Sequence, residues 1–114
     1  GVAVIDQNRL LTDSVIGREI EARFDAASRD LAAENRRIEG ELESEERALT
    51  AARATTPAAE FQKLAARFDE KVEGIRRMQE AKSRALARQR DEDRQKLIQR
   101  LSAFLMAAAQ FFCL

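Results

Sequence analysis

Ala54-Thr55-Thr56-Pro57-Ala58 decides the reading of this chain. Pro57 is the only proline among 114 residues. It separates two stretches that each carry helical patterning for about forty residues. Proline fits the first turn of a helix and is disfavoured inside one, because it lacks an N–H and its ring clashes with the preceding turn. Thr56 is therefore expected to cap a second helix, with Pro57 at its first position. The chain then folds back on itself here, with a tip at 50–58.

Working back from the tip, the first helix carries Ile16, Ile20, Phe24, Ala27, Leu31, Ile38, Leu42 and Leu49. Most spacings are three, four or seven, which places these residues in one stripe. Thr12, Asp13 or Ser14 can cap its start. Gly17 and Gly40 each weaken a helix by roughly 1 kcal/mol relative to alanine. Gly17 suits close packing and Gly40 a flexible point. Working forward, the second helix runs from about 57 to at least 101 and carries Phe61, Leu64, Phe68, Val72, Ile75, Met78, Leu86, Leu97, Leu101, Phe104 and Leu105. Between Met78 and Leu97 its stripe is thin.

Two features make the pair antiparallel. A turn centred near residue 55 sets Leu49 level with Phe61, Leu42 with Phe68, Ile38 with Val72, Leu31 with Met78 or Gln79, and Phe24 with Leu86. Charge agrees. Residues 13–49 hold eleven acids and six bases, whereas residues 61–100 hold seven acids and twelve bases. Opposite balances favour this pairing over like with like. Forty residues give an arm of roughly 60 Å.

At the N-terminus, Val2-Ala3-Val4-Ile5 reads as a short apolar strand ended by Asp6-Gln7-Asn8. One strand needs partners. The fold class is thus mainly α, with a short N-terminal strand at a small oligomeric base and a long antiparallel two-helix coiled-coil arm. Residues 1–114 form a single unit, with the base at 1–20 and 97–114 and the arm at 21–96. Val2, Val4, Ile5, Ile16, Ile20, Leu101, Phe104 and Leu105 are the expected oligomer interface.

Composition narrows the function. Charged residues make up 35% and aromatics 5%, which suits long helices. The formal net charge is zero, so whole-chain charge gives no affinity for a polyanion. There is no histidine, and the lone Cys113 can form neither an internal disulfide nor a CxxC site. The acids lie on solvated helices without a pocket to shift their pKa, so no enzyme is expected. The clusters Glu43, Glu45, Glu46 and Asp91-Glu92-Asp93 sit in no loop that could fold around calcium. No metal or other cofactor is expected. Arg76-Arg77, Arg84, Arg88, Arg90 and Arg94 make the second helix basic. Intervening acids and missing stacking aromatics argue against nucleic acid, leaving the acidic first helix or an acidic lipid surface as the target. No apolar run reaches the roughly 18–20 residues that span a bilayer. The start at Gly1, without methionine, is compatible with a removed export leader.

Ala3-Val4-Ile5-Asp6, Arg9-Leu10-Leu11, Ser14 and Gly17-Arg18 together resemble the start of the Skp/OmpH family of periplasmic chaperones. Thr56-Pro57-Ala58-Ala59-Glu60-Phe61 resembles that family's tip. The likeness covers about residues 2–101 and rests on the order and spacing of short motifs. It implies a periplasmic homotrimer, its strands forming a body and its helical hairpins surrounding a cavity. Such a trimer holds unfolded outer-membrane β-barrel proteins without ATP. Client contact then falls on small apolar groups beside bases, with Leu64, Ile75 and Met78 the candidates. One departure is plain: the family normally returns through a glycine-containing turn into further strands, and residues 102–114 contain no glycine. The rival function is a non-catalytic coiled-coil adaptor that binds a partner helix. A third uses the apolar tail from Phe104 to Leu114 as a peripheral membrane element.

Overall fold

The computed structural model describes residues 14–112. Two helices account for nearly all of them: α1, Val15–Ala52, and α2, Ala58–Phe112. The expected strand at 2–5, the Thr12 and Asp13 caps and Cys113 lie outside the described residues.

Ser14 caps α1. Its hydroxyl oxygen accepts a hydrogen bond from the Gly17 N–H at 2.9 Å, and its carbonyl accepts one from the Arg18 N–H at 3.0 Å. One side chain thereby satisfies a helix-end donor that the backbone cannot. At the other end, the Arg53 N–H donates to the Thr50 carbonyl at 3.3 Å and the Thr55 N–H to the Ala52 carbonyl at 3.1 Å. These short-range bonds tighten the chain out of the α-helix. The second helix starts one residue later than expected. The Pro57 carbonyl accepts its first bond, from the Phe61 N–H at 2.9 Å. Pro57 thus stands where Thr56 was expected, a position that needs no N–H of its own. Thr56, preceding a proline, is kept away from helical backbone angles.

The described residues pack as two compact units, one of Ser28–Arg84 and one joining residues 14–27 to 85–112. In Ser28–Arg84 the core is Ile38 and Leu42, 8% and 6% exposed. Leu31, Leu49, Phe61, Phe68, Val72 and Ile75 are half-buried around them. In the other unit Ile20 and Leu97 are buried together, and Leu101 packs against them. The apolar stripe recurs at eleven residues: Ile20, Leu31 and Leu42 on α1, and Leu64, Ile75, Leu86 and Leu97 on α2. Eleven residues are close to three helical turns, so residues at this spacing drift only slowly around their helix. Gly40 does not interrupt α1 and leaves an open position on an exposed face. Gly17 is buried.

The ion pairs do not join level residues. With the turn centred at 55, Glu45, Glu39 and Glu34 lie level with residues 65, 71 and 76. They pair instead with Lys71, Arg76 and Lys82. Each partner stands five or six residues farther along α2. The cause is the lean of helical side chains toward their own N-terminus. On α1 that lean points away from the turn, and on α2 it points toward it. A residue of α1 therefore meets one whose backbone lies farther from the turn. The apolar residues keep closer to the expected register: Leu42 lines one hollow with Phe68 as well as Val72, and Phe24 lines another with Leu86.

Candidate functional site

The seam of Ser28–Arg84 has two different flanks. Glu45 accepts from Lys71 Nζ at 2.7 Å and Glu34 from Lys82 Nζ at 2.9 Å. Both acids and both bases are eleven residues apart, so these pairs lie on one flank. Arg76 reaches Glu39 on the other. Its guanidinium donates to both carboxylate oxygens, with the Nη2 bond at 3.3 Å, and Nη1 also donates to Gln79 at 3.2 Å. The hydrogen bond from Arg76 holds the Glu39 carboxyl below its ordinary pKa, reinforced by the charge of the same group.

Each flank carries an open hollow. On the first, Ala48, Leu49, Ala52, Leu64 and Phe68 form an apolar floor of about 420 Å³, edged by Arg67 and by the Glu45–Lys71 pair. On the second, Leu42, Phe68 and Val72 floor a hollow of about 430 Å³. Its edge bears Glu39, Glu43, Glu46, Asp69 and Glu73 against the single base Arg76. Phe68 reaches both hollows, so the floor is shared and the charge is not.

In the unit that contains α1 residues 14–27, the Arg90 guanidinium lies over the Phe24 ring, 4.2 Å from its centroid. Its aliphatic stem joins the apolar wall and its charge the ring face. Arg94 pairs with Glu21 one turn on. Ile20, Phe24, Ala27 and Leu86 floor a hollow of about 310 Å³ beneath Arg90.

The residues expected to touch a client do not behave alike. Leu64 is 40% exposed and lines the first hollow, and Met78 is 39% exposed, whereas Ile75 is half-buried in the seam. Among the expected interface residues, Ile20 and Leu101 pack within their own unit around Leu97. Ile16, Phe104 and Leu105 are exposed. Val2, Val4 and Ile5 lie outside the described residues. Reading the stripes alone missed Arg90, which had been counted only among the bases aimed at the acidic first helix or an acidic lipid surface. Its spacing four residues beyond Leu86 was the available signal. It also missed the charge difference between flanks, which requires knowing where each carboxylate points.

Among the described residues, no group of three or more His, Cys, Asp or Glu could hold a metal ion. No described helix is long and apolar enough to cross a membrane. No curated protein and no solved structure matches this chain. A family model does, over residues 1–110, with the description Outer membrane protein (OmpH-like). That span takes in α1, the turn and all but the last two residues of α2, and the chain belongs to the OmpH-like family.

Proposed function

We propose that this protein is an ATP-independent periplasmic holdase for unfolded outer-membrane β-barrel proteins. Family membership across residues 1–110 carries this reading, since the family is one of chaperones that bind unfolded outer-membrane proteins. Residues 1–114 act as one chaperone unit, with a base at 1–20 and 97–114 and an arm at 21–96. Three copies meet at the base through Val2, Val4, Ile5 and the exposed Ile16, Phe104 and Leu105, and the arms surround the client.

The physical requirements of a holdase support the reading. A client without fixed structure offers no single shape to fit. Retention then depends on several shallow apolar contacts whose weak affinities multiply through effective concentration. The open hollow at Leu64 and the exposed Met78 supply such contacts, with Arg67 and Lys71 at the edge for polar segments of the client.

The test is suppression of aggregation when a denatured β-barrel protein is diluted from urea. The parent is expected to protect near one assembly per client. Exchanging Leu64, Ile75 or Met78 singly for serine should weaken protection slightly. Exchanging all three should abolish it with helix content and mass unchanged. Full protection by the triple variant would move client contact to other residues, and no protection by the parent would end the holdase reading.

A further inference from the structure

From the second flank of Ser28–Arg84 we infer a separate docking surface for cationic apolar segments of an unfolded polypeptide, in which an apolar side chain enters the hollow at Leu42, Phe68 and Val72 and flanking lysines or arginines meet its carboxylate edge. The inference goes beyond the contact surface at Leu64 and rests on the holdase reading only in taking the occupant to be an unfolded chain.

The floor comes first. Leu42 is buried, but Phe68 and Val72 are only half-buried, so apolar surface stays open to solvent beside the seam. A hollow of about 430 Å³ takes one or two large side chains. Covering it removes apolar area from water without disturbing the helices.

The edge selects the occupant. Five carboxylates and one guanidinium surround that floor. Arg76 is occupied by Glu39. Glu73 has only a 3.9 Å approach from Arg77, both side chains being largely exposed. Glu43, Glu46 and Asp69 have no ion-pair partner among the described residues. The hollow therefore presents unneutralised negative charge around an apolar centre, and an incoming acidic segment meets repulsion where a basic one meets attraction. At physiological salt the attraction reaches only about 8 Å, so a base must sit next to the apolar residue that docks.

A second copy of this chain could not offer the bases of α2 that face its own seam, Lys71, Arg76, Lys82 and Arg94, which are paired with acids of its own α1. An unfolded segment can set a base directly beside the apolar residue that docks, which the hollow requires, and docking of a second copy is an outcome of the test below.

The experiment uses the full chain and two labelled, unstructured peptides of about a dozen residues, read by fluorescence anisotropy. Both carry the same leucines and phenylalanines. One places lysine and arginine beside them and the other aspartate and glutamate. The basic peptide should bind at least about fivefold more tightly, and the difference should shrink as salt is raised. Removing the edge charge with E43Q/E46Q/D69N should erase the difference. Removing equal charge elsewhere with E70Q/D91N/E92Q should keep it. A photo-cross-linking version of the basic peptide should attach to the parent within 42–46 and 68–76, a readout that needs no variant. Equal affinity of the two peptides, survival of the preference in E43Q/E46Q/D69N, its loss in the control triple, or attachment elsewhere would each overturn the inference. So would carbodiimide cross-linking of one copy to another through Glu43, Glu46 or Asp69 that the peptide cannot displace. Aggregation suppression is measured on the same samples. A parent that protects the β-barrel protein without the peptide preference loses this docking surface and keeps its holdase role. One with the preference but no protection keeps the surface and loses the role.

Discussion

The two units use the same pair of helices and close them differently. In Ser28–Arg84, three ion pairs run between the helices, and the most exposed large apolar groups are Leu64 at 40% and Met78 at 39%. In the unit holding residues 14–27 and 85–112, one interhelix ion pair is found among the described residues. Its centre is drier, with Ile20 and Leu97 at 3% and 4%. Yet Val15, Phe104 and Met106 are more than 60% exposed. Charge pairing contributes orientation and register but little strength per pair when exposed. Burial contributes strength but leaves unpaired apolar surface wherever two helices cannot cover each other. Ser28–Arg84 is therefore the part whose surface is sorted by charge. The other unit has the stronger local core and the greater need of company.

The largest effect that would break this comparison is loss of the drier core. Leu97→Ala should cost about 2–5 kcal/mol, the range for truncating a buried leucine. Hydrogen exchange should show amides of residues 15–27 and 85–101 losing protection while those of 28–84 keep most of theirs. Uniform loss along both helices would show that the units melt as one body, and the contrast would then be one of surface only.

A smaller effect sharpens the other side. An added Cβ at Gly40 meets nothing within 4 Å, and the position lies on an exposed stretch of α1. Gly40→Ala should therefore stabilise Ser28–Arg84 by about 0.4–1 kcal/mol, by reducing the freedom of the unfolded chain and favouring the helix. A urea midpoint that falls instead would mean that α1 needs its glycine there, as the reading of a flexible point supposes.

The smallest effect concerns pH. The Glu39 carboxyl is held below its ordinary value by Arg76. A depressed folded-state pKa adds stability that is present above the unfolded carboxylate value and is lost as pH falls through the folded one. Urea midpoints taken from pH 6 down to 3 should therefore decline in the parent. Arg76→Gln should make that decline shallower, with most of the difference below the ordinary glutamate value. Superimposable curves would mean that this exposed pair orders side chains without stabilising the fold.

Much of this was legible in the chain itself. The helical stripes, the break at Pro57 and the opposite charge balances led to the antiparallel pairing. The motif order led to the family. Ser14 was one of three eligible caps, and only local geometry could choose it. The ion pairs are offset from level positions because position along a helix ignores the lean of its side chains. Leu64, Ile75 and Met78 looked equivalent on a drifting stripe, but Ile75 is half-buried while the other two are exposed. Arg90 read as one base in a basic stretch, whereas its guanidinium lies over the Phe24 ring.

The sequence by itself determined which residues are helical, where the chain turns and that its halves attract, because these depend on periodicity, on proline's missing N–H and on net charge, all local or additive properties. Only the tertiary structure decided which acid meets which base, and that the two sides of one apolar seam carry different charge. Those outcomes depend on the direction each side chain takes from its backbone, which is fixed when two helices pack and is written in no single residue.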